Sequence, residues 1–537
     1  MSEKQEKQNY LSGALILVVA NVASQFLGLF SKLAILWLIG DEGVGIYNYP
    51  YAFYSILLSF SSVGFNVAIS KLISEQLSQK EQHTALLIFR RSLKVMIALG
   101  LLATIILLGF AWPLAIYIHH DPRAFYAYIA LAPAALINSW QAAYRGFFQG
   151  TQNMRPNALS QIVEQVFRIV TMLGFAALLI PYGIEWGAAG AVFGAAAGAL
   201  ASYFFLHRLY TLLMKTPQWA MSVHDNPSET HITAHPDYRI MDRNILRTAL
   251  PISLAGIGLP LYLLADSMMI VGRLQQAGYT LTEATSSYGA YANNAMSLIA
   301  LPTILSSSLF VSLVPAISEA RVAGESHSVE VQSRSALKIS LLLALPCAAG
   351  LYLVAEPLCS VLGMSTTTVI AIRALVAAVP FLVIQQVTAG ILQGLGLATA
   401  PLITMLCGAA CKATLTWFGT ETLGLHGAAL GTTVGFALAS LGNLWVLNRK
   451  AGSVLDLDRA VFRPLLATAL MSASILAVMP YTDRFSPVVT LAIHVVLGIV
   501  CYILGIVLTS TITEEDVRFL PGGKRLTFLI RSPKKGF

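Results

Sequence analysis

Two five-residue stretches decide the fold: Gly146-Phe147-Phe148-Gln149-Gly150 and Gly390-Ile391-Leu392-Gln393-Gly394, which lie 244 positions apart. Working outward, the same offset carries Ser74-Glu75 onto Ser318-Glu319 and Arg168 onto Lys412. Gly187-Ala188-Ala189 recurs as Gly427-Ala428-Ala429 at an offset of 240, so a short deletion lies between. One such match means little. An ordered series of them indicates a tandem duplication.

The chain that carries this repeat has 537 residues, of which 56% are hydrophobic and 11% charged. Its mean hydropathy is +0.69. A soluble globular protein carries roughly 25% charge, so a water-soluble enzyme, a disordered chain and a disulfide scaffold all fit poorly. A composition this apolar needs a bilayer as solvent. The five cysteines, Cys347, Cys359, Cys407, Cys411 and Cys501, all fall in apolar runs without a Cys-x-x-Cys spacing and read as buried free thiols.

Apolar runs predict an all-α integral membrane protein with fourteen transmembrane helices, near 11–39, 47–70, 93–118, 124–144, 157–180, 187–206, 248–270, 287–316, 339–358, 366–392, 399–418, 426–447, 464–480 and 486–510. The first run continues past a signal-peptide core and lacks an Ala-x-Ala exit, so it reads as a span. The repeat then divides the chain into an N-lobe (1–213), a linker (214–242) and a C-lobe (243–450). An extra helix pair (451–512) and a basic tail (513–537) follow. The two lobes are pseudo-symmetric six-helix bundles. Parallel repeats of this kind suit alternating access around a midplane site, where a channel or a membrane enzyme needs no such duplication. The linker's His224, His231 and His235 match no standard metal spacing, and no metal site is expected.

The net charge of +8 would suggest nucleic acid in a soluble protein. Here it sets orientation, and no nucleic-acid partner is expected. With an even span count, 27 of the 34 Lys and Arg fall on the side that holds both termini. Three (Arg123, Arg273, Arg484) fall opposite, and four lie within spans. Positive loops stay inside, so both termini are expected in the cytoplasm.

Ionisable groups at membrane depth are costly and need a partner or a role. The spans hold Lys32, Glu164, Arg168, Asp266, Arg373 and Lys412, four cations against two carboxylates. That excess suits a phosphate-bearing anion. Alternatives stay open at each. Glu164 and Arg168 stand at i,i+4 and can pair on one face with or without a binding role. Lys32 either snorkels or lines a cavity, and Arg373 favours snorkelling. Lys412 lies mid-span. Asp266 either pairs with a base or couples a proton or Na⁺. Gln25, Asn66, Gln149 and Gln393 read as interhelical hydrogen-bonding groups, and Asp41-Glu42-Gly43 as a solvated turn. No catalytic carboxylate cluster and no phosphate-cradling Gly-Lys-Ser/Thr loop is present. No cofactor is expected beyond a coupling ion or the membrane potential.

Three sets of residues resemble a known family: Leu38-Ile-Gly-Asp-Glu-Gly-Val-Gly-Ile-Tyr47 with Val67-Ala-Ile-Ser-Lys-Leu-Ile-Ser-Glu75; Arg145-Gly-Phe-Phe-Gln-Gly-Thr-Gln-Asn-Met154 with Ser160-Gln-Ile-Val-Glu-Gln-Val-Phe-Arg168; and Val314-Pro-Ala-Ile-Ser-Glu-Ala320. They resemble the polysaccharide-transport branch of the MATE-like multidrug/oligosaccharidyl-lipid/polysaccharide exporter superfamily, in particular its sporulation stage V protein B group and MurJ-type lipid II flippases. The resemblance implies a flippase in the bacterial cell membrane. Its cargo would be an undecaprenyl-pyrophosphate-linked sugar, lipid II or a related envelope precursor, moved from the inner to the outer leaflet. Its partners would be that glycolipid, membrane lipids and envelope-synthesis proteins. The implied cationic cavity takes Lys32, Arg168, Lys412, Arg373, Gln25 and Glu164. Gln25, in the frame Ser24-Gln25-Phe26-Leu27-Gly28, stands where relatives carry a first base, and Lys32 matches the second. The rivals are a cation-coupled multidrug exporter, which would favour acidic and aromatic cavity residues, and a membrane glycosyltransferase or polymerase, which would need a catalytic acid cluster in an outer loop. A scaffold of envelope synthesis without transport is the third.

Overall fold

The computed structural model describes residues 3–216, 219, 238–303, 317–452, 454–482 and 484–511. Most of the expected linker, its three histidines, the basic tail and the stretch 304–316 lie outside the described residues. Within them the chain is helical and contains no strand. Ten helices are long and apolar enough to cross a membrane, or eleven if one bent pair counts as a span. The chain is therefore a multi-pass membrane protein.

Two compact units form. The first comprises 1–275 with 280–289, and the second 276–279 with 290–537. In the first, α1 (Glu3–Leu58) breaks at Gly40, whose φ of 67° belongs to the left-handed region that glycine enters without strain. A π turn at Ser59–Val63 leads into α2 (Gly64–Ser78). Then come α3 (Gln82–Pro113), α4 (Ala124–Gly150), α5 (Arg155–Leu179) and α6 (Ile184–Met214). The expected seventh span is broken. Its halves, α7 (Tyr238–Ala255) and α8 (Gly258–Gln276), meet at 58°. Pro251 supplies no amide hydrogen to the turn before it, and Gly256 sits at the break, which is where a helix kinks. Both halves and the short α9 (Leu281–Gly289) belong largely to the first unit: α7 packs on α2, and α9 on α1.

The glycines of the repeat explain themselves here. A Cβ on Gly146 would lie 2.9 Å from the Asn66 carbonyl oxygen, and one on Gly150 2.8 Å from Ile73 Cβ. The motif is a small-xxx-small seam that lets α4 lie on α2. Its counterparts Gly390 and Gly394 are also buried.

The second unit holds α10 (Ser326–Leu362), α11 (Thr366–Leu375), α12 (Val379–Gly394), α13 (Thr399–Leu423) and α14 (Leu425–Ala451). The terminal pair, α15 (Arg463–Thr482) and α16 (Pro487–Leu508), packs together and against α10, where the Tyr502 hydroxyl donates to the Leu342 carbonyl. His494 is buried between the pair, its Nε2 2.9 Å from Thr482 Oγ1. The α13–α14 seam is tighter still, for a Cβ on Gly427 would collide with the Gly419 carbonyl. Gly427→Ala is expected to force these helices apart at a cost of about 1–3 kcal/mol, read as a lower thermal midpoint. Gly350→Ala, at a helical position with open space around it, is expected to be neutral or mildly stabilising.

Candidate functional site

The cluster grows from α5. Glu164 and Arg168 share one face a turn apart, and Arg168 Nη2 donates to Glu164 Oε1 at 2.8 Å. The other oxygen, Oε2, accepts from Arg145 Nη2 and from Gln141 Nε2, both on α4 and both at 2.9 Å. Gln141 is held in turn by Ser202 on α6. Arg145 Nε donates to Ser160 Oγ, and the Arg145 carbonyl accepts from Asn157 Nδ2. Two arginines thus share one buried carboxylate, and the group keeps a formal charge of +1. Charged pairs survive at membrane depth only when hydrogen-bonded in this way.

Two glycines set the position of this turn. A Cβ on Gly198 would lie 2.6 Å from the Glu164 carbonyl oxygen, and one on Gly194 2.9 Å from that of Arg168. They let α6 close onto α5 beneath the ion pair. The second unit repeats the device: a Cβ on Gly431 would lie 2.9 Å from the Lys412 carbonyl oxygen. The two cations therefore occupy the same kind of seat, Arg168 on α5 against glycines of α6 and Lys412 on α13 against a glycine of α14.

Their surroundings differ. Arg168 keeps a quarter of its side chain exposed, and its Nε makes no hydrogen bond. Tyr47, Tyr51 and Tyr54, one face of α1, surround it closely enough to interact electrostatically. The Tyr47 and Tyr51 rings are 4.8 Å apart, and the Tyr54 hydroxyl accepts from Asn138 Nδ2. Lys412 is wholly buried. The residue that corresponds to Glu164 there is Gly408, so the second repeat lacks the carboxylate.

The other expected site residues are spread out. Lys32 is half-buried on α1, and Gln25 is exposed on the same helix. Arg373 pairs with Glu356 at 3.4 Å and lies over the Tyr352 ring. Asp266 is buried on α8, close enough to Tyr288 to interact with it electrostatically.

Sequence reasoning missed Arg145, Gln141 and the three tyrosines. Arg145 was expected in a loop, but α4 runs on to Gly150 and keeps it in the helix. The seam glycine beside it was the available signal. Asp41-Glu42-Gly43 was expected as a solvated turn. It lies instead within α1 just past the Gly40 break, because Arg123 Nη1 holds Glu42 Oε1 at 2.6 Å. The same guanidinium is held by both oxygens of the buried Asp121, and these carboxylates raise its already high pKa against the cost of burial.

The fold and this cluster define a helical membrane protein with a buried, partly unspent cation in a duplicated frame. The family described as "Polysaccharide biosynthesis protein" matches residues 10–321, and the chain belongs to it. It is 31% identical over 439 residues to stage V sporulation protein B of Bacillus subtilis (strain 168), covering 81% of this chain and 83% of that one. It is 24% identical to the lipid II flippase MurJ of the same organism, covering 82% and 83%. Among solved structures it matches an inward-facing multidrug resistance MATE family transporter of the MOP superfamily (TM-score 0.65, 17% identity, 80% of this chain and 98% of that one). It also matches an inward closed lipid II flippase MurJ (TM-score 0.64, 15% identity, 91% and 98%).

Proposed function

We propose that this chain is a flippase that carries an undecaprenyl-pyrophosphate-linked sugar, lipid II or a related envelope precursor, from the inner to the outer leaflet of a bacterial cell membrane by alternating access. The observation that carries the reading is Arg168: a guanidinium at membrane depth, fixed by Glu164, framed by tyrosines, with a hydrogen-bond donor unspent. A guanidinium so placed is suited to phosphate oxygens. Lys32 and Gln25 on α1, and Lys412 in the second unit, are proposed as further groups that meet the head group along its path. Arg373, tied to Glu356, serves as a peripheral cation. The charge excess disfavours a cation-coupled drug exporter.

The topology belongs to the same proposal. The 57-residue helical run Val22–Ser78, made of most of α1, the π turn and α2, is well over twice the ~20 residues a span requires and breaks at Gly40, so it counts twice. Adding the bent pair and Ala124–Gly150 gives thirteen, and the proposed fourteenth is the expected span 287–316, part of which lies outside the described residues. The excess of basic residues on one side supports cytoplasmic termini, and the α3–α4 corner with Arg123 would then lie at the outer face.

Energetics favour this direction. A pyrophosphate carries about two negative charges, so an inside-negative potential yields roughly 4–5 kcal/mol per 100 mV on outward movement. The net positive cluster lowers the barrier at the midplane, and the lipid tail never leaves hydrocarbon. The test is depletion of the protein in cells, with outer-leaflet lipid II exposure measured. Exposure is expected to fall. Normal exposure, with no other undecaprenyl-linked sugar trapped inside, overturns the reading.

A further inference from the structure

We propose that His119 is a proton-binding site that makes opening of the outer face sensitive to acidity outside the cell. The inference rests on the alternating-access reading above and on a cluster that the substrate site does not use.

His119 follows directly on a π turn (Leu114–Ile118) at the end of α3 and is 1% exposed. Its Nδ1 lies 3.0 Å from the Ser267 carbonyl oxygen on α8, and its Nε2 2.8 Å from the Tyr128 hydroxyl on α4. A carbonyl only accepts, so Nδ1 carries the hydrogen. The Tyr128 hydroxyl lies 2.8 Å from Nε2 and 3.3 Å from the Tyr49 carbonyl, and burial disfavours a charged ring, so the hydroxyl donates to Nε2 and the imidazole is neutral. The Tyr49 ring of α1 stacks on it at 4.3 Å, with Tyr288 of α9 stacked on Tyr49 at 5.3 Å. Tyr49 is tied to α9 through Thr285 Oγ1 and to α8 through Ser267 Oγ, which donates to the Tyr49 carbonyl. Side chains would not fit where Gly45 meets the Thr285 carbonyl and Gly289 meets that of Asp41. The seam that closes this end of the first unit therefore has an imidazole at its centre.

The charged and titratable neighbours on each element are known. His120 and Asp121 flank the ring in sequence. Tyr49 faces it from α1 and Tyr128 from α4, with Arg123 just before α4 bound to Asp121 and Glu42. Asp266 precedes Ser267 on α8 and interacts with Tyr288 on α9. Asp121, next but one to the ring in sequence, is committed to Arg123 through both of its oxygens. Burial holds the imidazole down to about 3, the Ser267 carbonyl opposing this and His120 adding to it.

Separating α8 and α9 from α1 and α3 breaks the Ser267 contact to the ring and the contacts of Tyr49 to Ser267, Thr285 and Tyr288, and wets the ring, whose ordinary pKa is about 6.5. The open state then binds a proton that the closed state refuses. The sign follows: as pH falls below about 6.5, protons accumulate on the open form, and the closed form loses ground until the lower pKa is reached. Between pH 7.5 and 5.5 the open-to-closed ratio rises about tenfold.

The test uses the full chain in nanodiscs, its five native cysteines replaced, with Ser287→Cys on α9 as a buried reporter of the seam. Maleimide labelling is normalised at each pH to Tyr279→Cys, an exposed position. Relative labelling is expected to rise about tenfold from pH 7.5 to 5.5 with His119, and to stay flat in His119→Gln, which keeps a neutral donor and acceptor. A tenfold rise that survives His119→Gln, or a flat profile with His119 present, overturns the proposal. Tyr128→Phe removes the donor to Nε2 and is expected to raise labelling at pH 7.5 while keeping the slope. Unchanged labelling there counts against the proposal even if His119→Gln fails to fold. Labelling reads conformation and not transport, so a flat profile in a protein that still flips lipid removes His119 alone.

Discussion

Glu164→Ala lowers the thermal midpoint of the protein more than loss of either arginine beside it. The carboxylate is the shared partner of Arg145 and Arg168, and its removal leaves two cations facing each other at membrane depth. Removing one partner of a buried pair costs about 3–5 kcal/mol. Here the arginines keep 20% and 25% of their side chains exposed, so water screens part of the repulsion and about 3 kcal/mol is the expected scale. Gln141 also loses its acceptor. The accompanying double variant, Glu164→Ala with Arg145→Met, is expected to recover part of the loss, because only one cation then remains. Thermal unfolding of the purified variants measures both. A double variant less stable than Glu164→Ala would show that Arg145 stabilises the unit through Ser160 and Asn157 rather than through Glu164.

Arg168→Ala carries the largest expected functional effect. Its guanidinium has one donor on Glu164 and an unspent Nε. A hydrogen bond to a charged group contributes about 1.5–3 kcal/mol, so the flipping rate is expected to fall about tenfold to a hundredfold. Arg168→Lys keeps the charge, loses the planar fork and is expected to recover only part of the rate. Folding should survive, because Glu164 retains Arg145 and Gln141. A Glu164→Ala protein that folds at low temperature separates the roles further. Freed of its carboxylate, Arg168 would bind an anionic head group more tightly and release it more slowly, read as a lower half-saturating concentration together with a lower turnover.

The sequence disclosed some parts of this arrangement and hid others for physical reasons. Gly146 and Gly150 were legible because a small-xxx-small seam leaves its mark four residues apart on one helix. Glu164 and Arg168 were legible for the same reason: a charged pair one turn apart inside an apolar run has a short-range signature. The break in the seventh span was hidden, because a hydropathy run over 248–270 reads as one continuous helix and does not register the bend after Pro251. Arg145 was hidden by a boundary, since helix ends are set by capping and packing that a hydropathy profile does not contain. Tyr47, Tyr51 and Tyr54 were hidden by chemistry, for a tyrosine stripe beside an arginine has the same spacing as an ordinary core face. Glu42, Asp121 and Arg123 were hidden by distance along the chain, since only the fold brings residues 81 positions apart together. His119 and Ser267, 148 positions apart, and Tyr49 and Thr285, 236 apart, were hidden in the same way.

The duplication also shows what evolved apart. Arg168 on α5 sits against glycines of α6 and Lys412 on α13 against a glycine of α14, yet only the first supplies a carboxylate and leaves the cation partly exposed. Lys412→Ala therefore separates two roles. A loss of flipping with stability retained assigns Lys412 to the path of the head group, and a loss of stability alone assigns it to packing within the second unit.

The most direct test of the central claim is flipping of a fluorescent undecaprenyl-pyrophosphate-linked sugar in proteoliposomes, with wild type and Arg168→Ala compared at equal, folded protein density. The account predicts facilitated movement by the wild type, accelerated by a potential that drives anions toward the destination leaflet, and a fall of at least about tenfold in the variant. Equal rates in the two proteins would contradict it.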